Sequence, residues 1–369
     1  MFLELGKDSL SHLLYLTNTI VERRNTMPIL ANVKLTADDS GLHVAATDLE
    51  VSLVGKTEAN VTTPGTITVS AKFLYDIVKE LPGDTVTLKS TSGERLEIEA
   101  GQSHFKINGI SSDEFPSLMG ITIDNAVSVE AEKLFEMLDK TMYAVSMDET
   151  RYNINGVFAE SIEDGAMLRF VATDGHRLAM IDRASDGLAL DAGVIIPRKG
   201  IQELKKVLEN NDGAARVSVK DGFFTVQSGQ ITLGVRLIDG EFPDYRQVLP
   251  KSTGTVVKVD RTELLSTVKR VSLVTTDKSR SVRFKFQDGL LTILSSSPEY
   301  GEASESISVK QDGEDVYIGF SARYVIDLLS AMSDCEEITL KLSGDLGPGL
   351  FEGDNAENYS CIVMPMRFD

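Results

Sequence analysis

The sequence predicts an α+β protein of three structurally equivalent domains, each with two helices packed on antiparallel sheets. Three observations point there. At 369 residues the chain exceeds what one ordinary hydrophobic core encloses. Helix-period and strand-period stretches follow one another in the same order three times. The landmarks of those stretches keep their spacing: Asp48 and Asp174, Ser70 and Pro197, Pro197 and Ser321, and Phe115 and Phe242 lie about 124 to 127 positions apart, close to a third of the chain. Several matches in one order indicate triplication of a domain-sized unit. The expected domains are 1–125, 126–253 and 254–369.

A first amphipathic helix is expected over Lys7 to Val21, where Leu10, Leu13, Leu14 and Ile20 fall near helical spacing. Pro28 closes that region, and the alternation in N-V-K-L-T and G-L-H-V-A-A-T-D-L-E (41 to 50) reads as strands. Ser70 suits the N-cap of a second helix, Phe73, Leu74, Ile77, Val78 and Leu81 make one apolar face, and Pro82 stops it. Short strands continue through T-V-T-L-K and R-L-E-I-E to D-E-F-P-S (113 to 117). The second pass has a helix over 131 to 145, strands ending in V-A-T-D (171 to 174), a helix over 197 to 208, and strands reaching E-F-P-D (241 to 244). The third has a helix over 261 to 274, a strand over 289 to 298 and a helix over 321 to 332. Gly344 to Gly353, with Pro348 and acidic neighbours, reads as a loop.

Composition is ordinary for a globular protein, 42% hydrophobic and 25% charged. No apolar run approaches the roughly 18 residues that span a bilayer, and M-F-L-E-L-G-K-D lacks the flanks of a signal peptide, so a soluble cytoplasmic protein is expected. Cys335 and Cys361, without C-x-x-C spacing, read as ordinary thiols. Of four histidines, His12, His43, His104 and His176, only the last is suggestive, two residues after Asp174. A hydrolase built on Asp174 and His176 lacks a G-x-S-x-G nucleophile, and D-G-H-R reads better as a tight turn whose aspartate bonds the backbone. No phosphate-cradling, dinucleotide or calcium motif occurs. No catalytic residue, metal or cofactor is expected.

A net charge of −19 argues against general affinity for nucleic acid. The acid is unevenly placed, however. The helical segments and their flanks hold a slight excess of Lys and Arg, while strands and loops hold the acidic surplus. Basic clusters stand at Arg23 and Arg24, Arg198 and Lys199, Lys205 and Lys206, Lys269 and Arg270, and Lys278, Arg280 and Arg283. Each alone fits a solvated surface; if the helices share one partner, that partner can carry phosphates.

With the triplication, the stretches V-A-T-D-G-H-R-L-A (171 to 179), I-I-P-R-K-G (195 to 200), D-G-E-F-P-D-Y (239 to 245) and V-M-P-M-R-F (363 to 368) make the chain resemble the bacterial DNA polymerase III beta subunits, the replicative sliding clamps, over its whole length. The resemblance implies a non-catalytic processivity factor whose three DNA-clamp domains form half of a closed ring. Two chains would join head to tail around duplex DNA, tether DNA polymerase III and other clients, and be opened by a clamp loader. Simple geometry agrees: a domain of this size is about 35 Å across, so three touching domains leave a hole of about 5 Å and six leave about 35 Å. A duplex roughly 20 Å wide passes only the second.

The family's DNA-contacting positions fall on Arg24, Arg151, Tyr152, Arg198 and Lys199. Its apolar peptide-binding groove falls on Ile154, Thr173, Gly175, His176, Arg177, Leu178, Pro243, Val248, Ser321, Tyr324, Leu346, Ile362, Val363, Met364, Pro365, Met366 and Arg367. Asn153 stands where many members of the family have a second aromatic, which implies weaker stacking at the DNA-contacting positions, while Gln247 in place of a common arginine and Ser279 in place of a common aromatic imply client preferences of this chain's own. The alternative is a client-peptide scaffold that does not encircle DNA.

Overall fold

The computed structural model describes residues 1–21, 27–185, 187–188, 190, 193–209, 211, 213–250, 254–275 and 281–367. Arg23, Arg24, Lys278, Ser279, Arg280 and Phe368, singled out in the sequence, lie outside the described residues. Six α-helices form among the described residues: α1 (Lys7–Ile20), α2 (Ala71–Glu80), α3 (Ala131–Met142), α4 (Arg198–Leu208), α5 (Arg261–Val271) and α6 (Ala322–Ala331). They fall in the six predicted stretches, two to each sequence repeat.

Local chemistry explains the helix ends. Ser70 Oγ accepts from the Phe73 amide at 3.4 Å at the start of α2, and the Asp260 carboxylate accepts from the Glu263 amide at 2.7 Å at the start of α5. α3 stops three residues short of expectation because its last amides turn to i−3 carbonyls, Ala144 to Thr141 and Val145 to Met142. The apolar face of α2 also needs correction. Ala71, Leu74 and Val78 are buried, but Phe73 is 65% exposed, since it stands about 100° around the helix from Leu74.

The described residues group into two compact units. The first comprises Met1–Phe135, Asp186–Leu188 and Lys199–Leu237; the second comprises Glu136–Ser185, Ala189–Arg198 and Ile238–Asp369. The central sequence repeat therefore contributes to both. Strand pairing explains this. In the first unit Ile231–Arg236 pairs antiparallel with Val51–Thr57, joining strands of the first two repeats in one thirteen-stranded sheet. In the second, Arg177–Ala184 pairs with Tyr359–Val363 and extends a nine-stranded sheet, beside a separate four-stranded one.

The stretch Gly344 to Gly353 is a loop only in its first half. Gly349–Gly353 is a strand between Glu337–Leu342 and Tyr359–Val363, with Phe351 buried. Glycine here serves packing, not turning: a Cβ on Gly349 would stand 2.7 Å from the Phe320 ring. Phe284, Phe320 and Phe351 continue that core, with ring centroids 5.5 and 5.9 Å apart along the chain of contacts.

Candidate functional site

In the second unit, Gly156–Ile162, Met167–Thr173 and Arg177–Ala184 pair so that Phe158, Val171 and Met180 form a row on one face. Ile154, Leu178, Ile195, Phe242, Tyr245 and Ile362 pack with that row, and the Phe158 and Phe242 rings stack 4.9 Å apart. A pocket of about 180 Å³ opens from this apolar floor, lined by Arg151, Ile154, Thr173, Gly175, Arg177, Leu178, Pro243, Asp244, Tyr245, Val248, Ile362 and Met364. That is smaller than the roughly 300 Å³ of sites that enclose a whole small molecule. It suits one or two anchoring side chains of something that lies mostly outside.

A tight turn shapes the rim. Asp174 Oδ1 accepts from the His176 and Arg177 amides at 2.9 and 3.0 Å, and Thr173 Oγ1 accepts from the Gly175 amide while donating to the Arg177 carbonyl. The aspartate is thus occupied by backbone, as the D-G-H-R spacing predicts. The same scheme recurs in the first unit over Thr47 to Val51, where Asp48 Oδ1 holds the Glu50 and Val51 amides and Thr47 Oγ1 holds the Leu49 amide. The third turn residue is left-handed in both, Leu49 at φ 79° and Gly175 at φ 89°.

The two turns differ at their second carboxylate oxygen. Asp48 Oδ2 binds Lys199 Nζ, whereas Asp174 Oδ2 accepts from Arg177 Nε at 3.2 Å. Arg177 is buried, yet its charge is matched: it also reaches Asp327 at 2.6 Å and the Tyr143 carbonyl at 2.5 Å, and lies over the Tyr324 and Tyr143 rings at 4.5 and 5.2 Å. Tyr324 in turn stacks on His176 at 6.4 Å. Behind this, Tyr143 and Tyr359 surround the Cys361 thiol, whose pKa burial pushes up to about 11; Tyr143 Oη lies 3.0 Å from Cys361 Sγ. The thiol is a packing group and not a nucleophile.

Of the expected groove residues, Ile154, Thr173, Gly175, Arg177, Leu178, Pro243, Val248, Ile362 and Met364 line the pocket. His176 and Tyr324 border it through Arg177. Val363 is buried in the terminal strand, Ser321 is buried at the start of α6, and Leu346 stands 78% exposed on a loop. The chain leaves the strand after Val363: the Met364 amide bonds the His176 carbonyl at 2.8 Å and the Met366 amide bonds the Gly319 carbonyl at 2.9 Å. Met364 and Met366 therefore stay about a third exposed and do not pack a strand, with half-buried Pro365 between them and Arg367 exposed beyond. Asp244 and Tyr245 line the pocket without having been assigned to it; they end the D-G-E-F-P-D-Y motif, the one signal for them.

The basic positions are less uniform. Arg151 is exposed, but it lines the pocket and donates to the Asp174 carbonyl at 2.9 Å. Tyr152 is 59% exposed beside Gly240, and Asn153 bonds the Glu241 carbonyl at 3.2 Å. Arg198, whose amide bonds the Asn155 carbonyl, reaches Met147 Sδ. Several helix cations are internally paired: Lys72 with Asp76, Lys140 with Glu136 and Asp334, Lys206 with Glu203, Arg270 with Glu305, and Arg323 with Asp327. Among the described residues no cluster of His, Cys, Asp or Glu is placed to hold a metal ion.

Three family models match the chain in succession: the N-terminal domain of the DNA polymerase III beta subunit over residues 1–119, its central domain over 128–244 and its C-terminal domain over 246–367. The chain belongs to the DNA polymerase III beta subunit family. The beta sliding clamp of Pseudomonas aeruginosa is 34% identical to it over 369 residues, 100% of both chains, and that of Caulobacter vibrioides 34% identical over 354 residues, 95% of each. Among solved structures, the Pseudomonas aeruginosa DNA polymerase III subunit beta matches with a TM-score of 0.93 at 34% identity, and a Bartonella birtlesii sliding clamp bound to griselimycin with 0.95 at 33%, each over 100% of both chains. The fold is accordingly that of three clamp domains in one chain.

Within this family fold the turn at Gly175 is a test of the rim. Its φ favours glycine, and a Cβ there would stand 2.8 Å from the Arg151 guanidinium. Gly175→Ala is expected to cost about 1–2 kcal/mol of stability, read by denaturant unfolding. Unchanged stability would show that the turn relaxes freely.

Proposed function

We propose that this chain is the sliding clamp of a bacterial replicase, a non-catalytic ring-shaped homodimer that encircles duplex DNA and tethers DNA polymerase III and other clients through the apolar groove. One observation carries this: three successive segments match the three domains of one clamp family in family order. We divide the chain as 1–125, 126–253 and 254–369. The reading places it in the cytoplasm; no helix among the described residues is long and apolar enough to cross a membrane.

Two open strand edges support a head-to-tail dimer. Among the described residues Gly301–Ser308 pairs only with Leu290–Ser297, and Ser103–Ile110 pairs on its second side only at Gly109 and Ile110. Such edges invite another chain. Lys106 on the first already pairs with Glu97 and Glu305 on the second with Arg270, so what these edges offer a second copy is open backbone and exposed apolar side chains. Phe105 on the first is 41% exposed, and Leu273, in the turn Ser272–Val274 beside the second, is 80% exposed. Joining unlike edges is a heterologous contact that two copies can close into a ring. A clamp loader would open that contact.

For DNA, the proposed contacts are Arg24, Arg151, Tyr152, Arg198 and Lys199. The internal pairing of many helix cations supports weak, salt-sensitive phosphate contacts without base reading, which suits sliding. For peptides, the proposed groove is the full set given above, with Met364 and Met366 adapting to varied aliphatic anchors. The deciding experiment loads the protein on nicked circular DNA and then linearises it. Retention on the circle and rapid loss from the linear form is the expected result; equal retention on both would leave a peptide-binding scaffold that does not enclose DNA.

A further inference from the structure

The groove's outer wall is fastened to the sheet at two adjacent residues, Tyr245 and Arg246. Tyr245 opens the short 3-10 turn Tyr245–Val248, which presents Val248 to the pocket directly after Pro243 and Asp244. Most other bonds of that turn are local: Asp244 caps the Arg246 amide at 3.3 Å and takes the Gln247 side chain at 3.1 Å, so neither ties the wall to the strands below. Tyr245 and Arg246 do.

The strands supply a ready anchor. Glu160 faces Arg169, and Arg169 faces Asp182, in a row two residues along from the apolar row Phe158, Val171 and Met180 and on the same face. Arg169 grips Asp182 with a fork at 2.7 and 2.6 Å. Glu160 is turned to the wall instead: its carboxylate accepts from Arg246 at 2.8 and 2.9 Å and from the Tyr245 hydroxyl. That hydroxyl also accepts from Arg169 at 3.1 Å, and the Arg246 guanidinium lies 4.8 Å from the Tyr245 ring centroid. Tyr245 itself is 3% exposed, its ring in the groove floor and its hydroxyl in the charged row. Burial, with Glu160 as acceptor, raises its pKa, so the phenol remains a donor.

We propose that Glu160, Arg169, Tyr245 and Arg246 form a positioning device that holds the groove's outer wall at the spacing that a client side chain needs. This rests on the peptide-groove reading above. None of the device's polar groups has to touch the client; they act through Val248 and Pro243. A floor and a wall held apart by a charged pin are preorganised, so the client does not spend affinity on ordering them.

The test uses the full-length protein and a fluorescein-labelled extended peptide with two aliphatic anchors, followed by anisotropy. Tyr245→Phe keeps the ring and is expected to weaken binding about three- to tenfold, the worth of one hydrogen bond. Glu160→Ala, which strands both the phenol and Arg246, is expected to weaken it about tenfold or more, and Glu160→Gln to restore part of the loss by keeping an acceptor. In the peptide-free protein the Val248 methyl resonances should shift or broaden in the first two variants, while those of Ile307 stay in place. Wild-type affinity in Tyr245→Phe and Glu160→Ala, or a loss of affinity with unmoved Val248 methyls, overturns the proposal. A wild-type protein that binds no such peptide overturns the groove reading, and this inference with it.

Discussion

Leu273→Asp is expected to turn the dimer into a monomer and to abolish retention on circular DNA. A leucine 80% exposed on a turn costs solvation in a lone chain, and its place beside the open edge of Gly301–Ser308 makes it the natural anchor for a second copy. Losing one such anchor and burying a carboxylate in its place weakens association by about 2–4 kcal/mol, or roughly thirtyfold to a thousandfold. Phe105→Asp, on the proposed opposite edge, should do the same, whereas replacing the equally exposed Leu346 should leave the dimer intact. Sedimentation equilibrium at submicromolar concentration reads all three. A Leu273→Asp protein as dimeric as the wild type would place the closing contact elsewhere.

The second large effect is expected at the groove. Val248 and Met364 line the pocket from different segments, and both are more than a third exposed, so charge there does not disturb a core. The double replacement Val248→Asp, Met364→Asp should weaken binding of the labelled peptide about a hundredfold, since an aliphatic anchor would then meet two carboxylates. The dimer and the retention on circular DNA should persist, which separates tethering from encirclement. Peptide binding unchanged by the pair would move the client site off this pocket.

Much of the architecture is legible in local sequence. Ser70 and Asp260 cap helices where side-chain oxygens meet free amides, and the T-D turns at 47 and 173 form from short-range bonds that need only four or five residues. Phe73 and Gly349 show the limit of such patterns. Whether an apolar residue faces the core depends on tens of degrees around a helix, and whether a glycine turns the chain or lets an aromatic ring approach depends on what packs opposite. The motifs around 171, 239 and 363 name most of the groove's residues through family likeness. They do not tell that Arg151 faces the same pocket, or that Asp244 and Tyr245 belong to it.

By itself, then, the sequence determined the triplication, the six helical stretches and the turn that occupies Asp174. Tertiary structure alone decided that Tyr359–Val363 lies along Arg177–Ala184, bringing Ile362 across from Leu178 and Met364 beside His176, and that the charge of buried Arg177 is spent on Asp174 and Asp327. The physical reason is that strand pairing is made by backbone amides and carbonyls common to every residue. Periodicity therefore announces a strand, while a distant neighbour, such as Ile362 for Leu178, is chosen only when side chains far apart in the sequence bury one another.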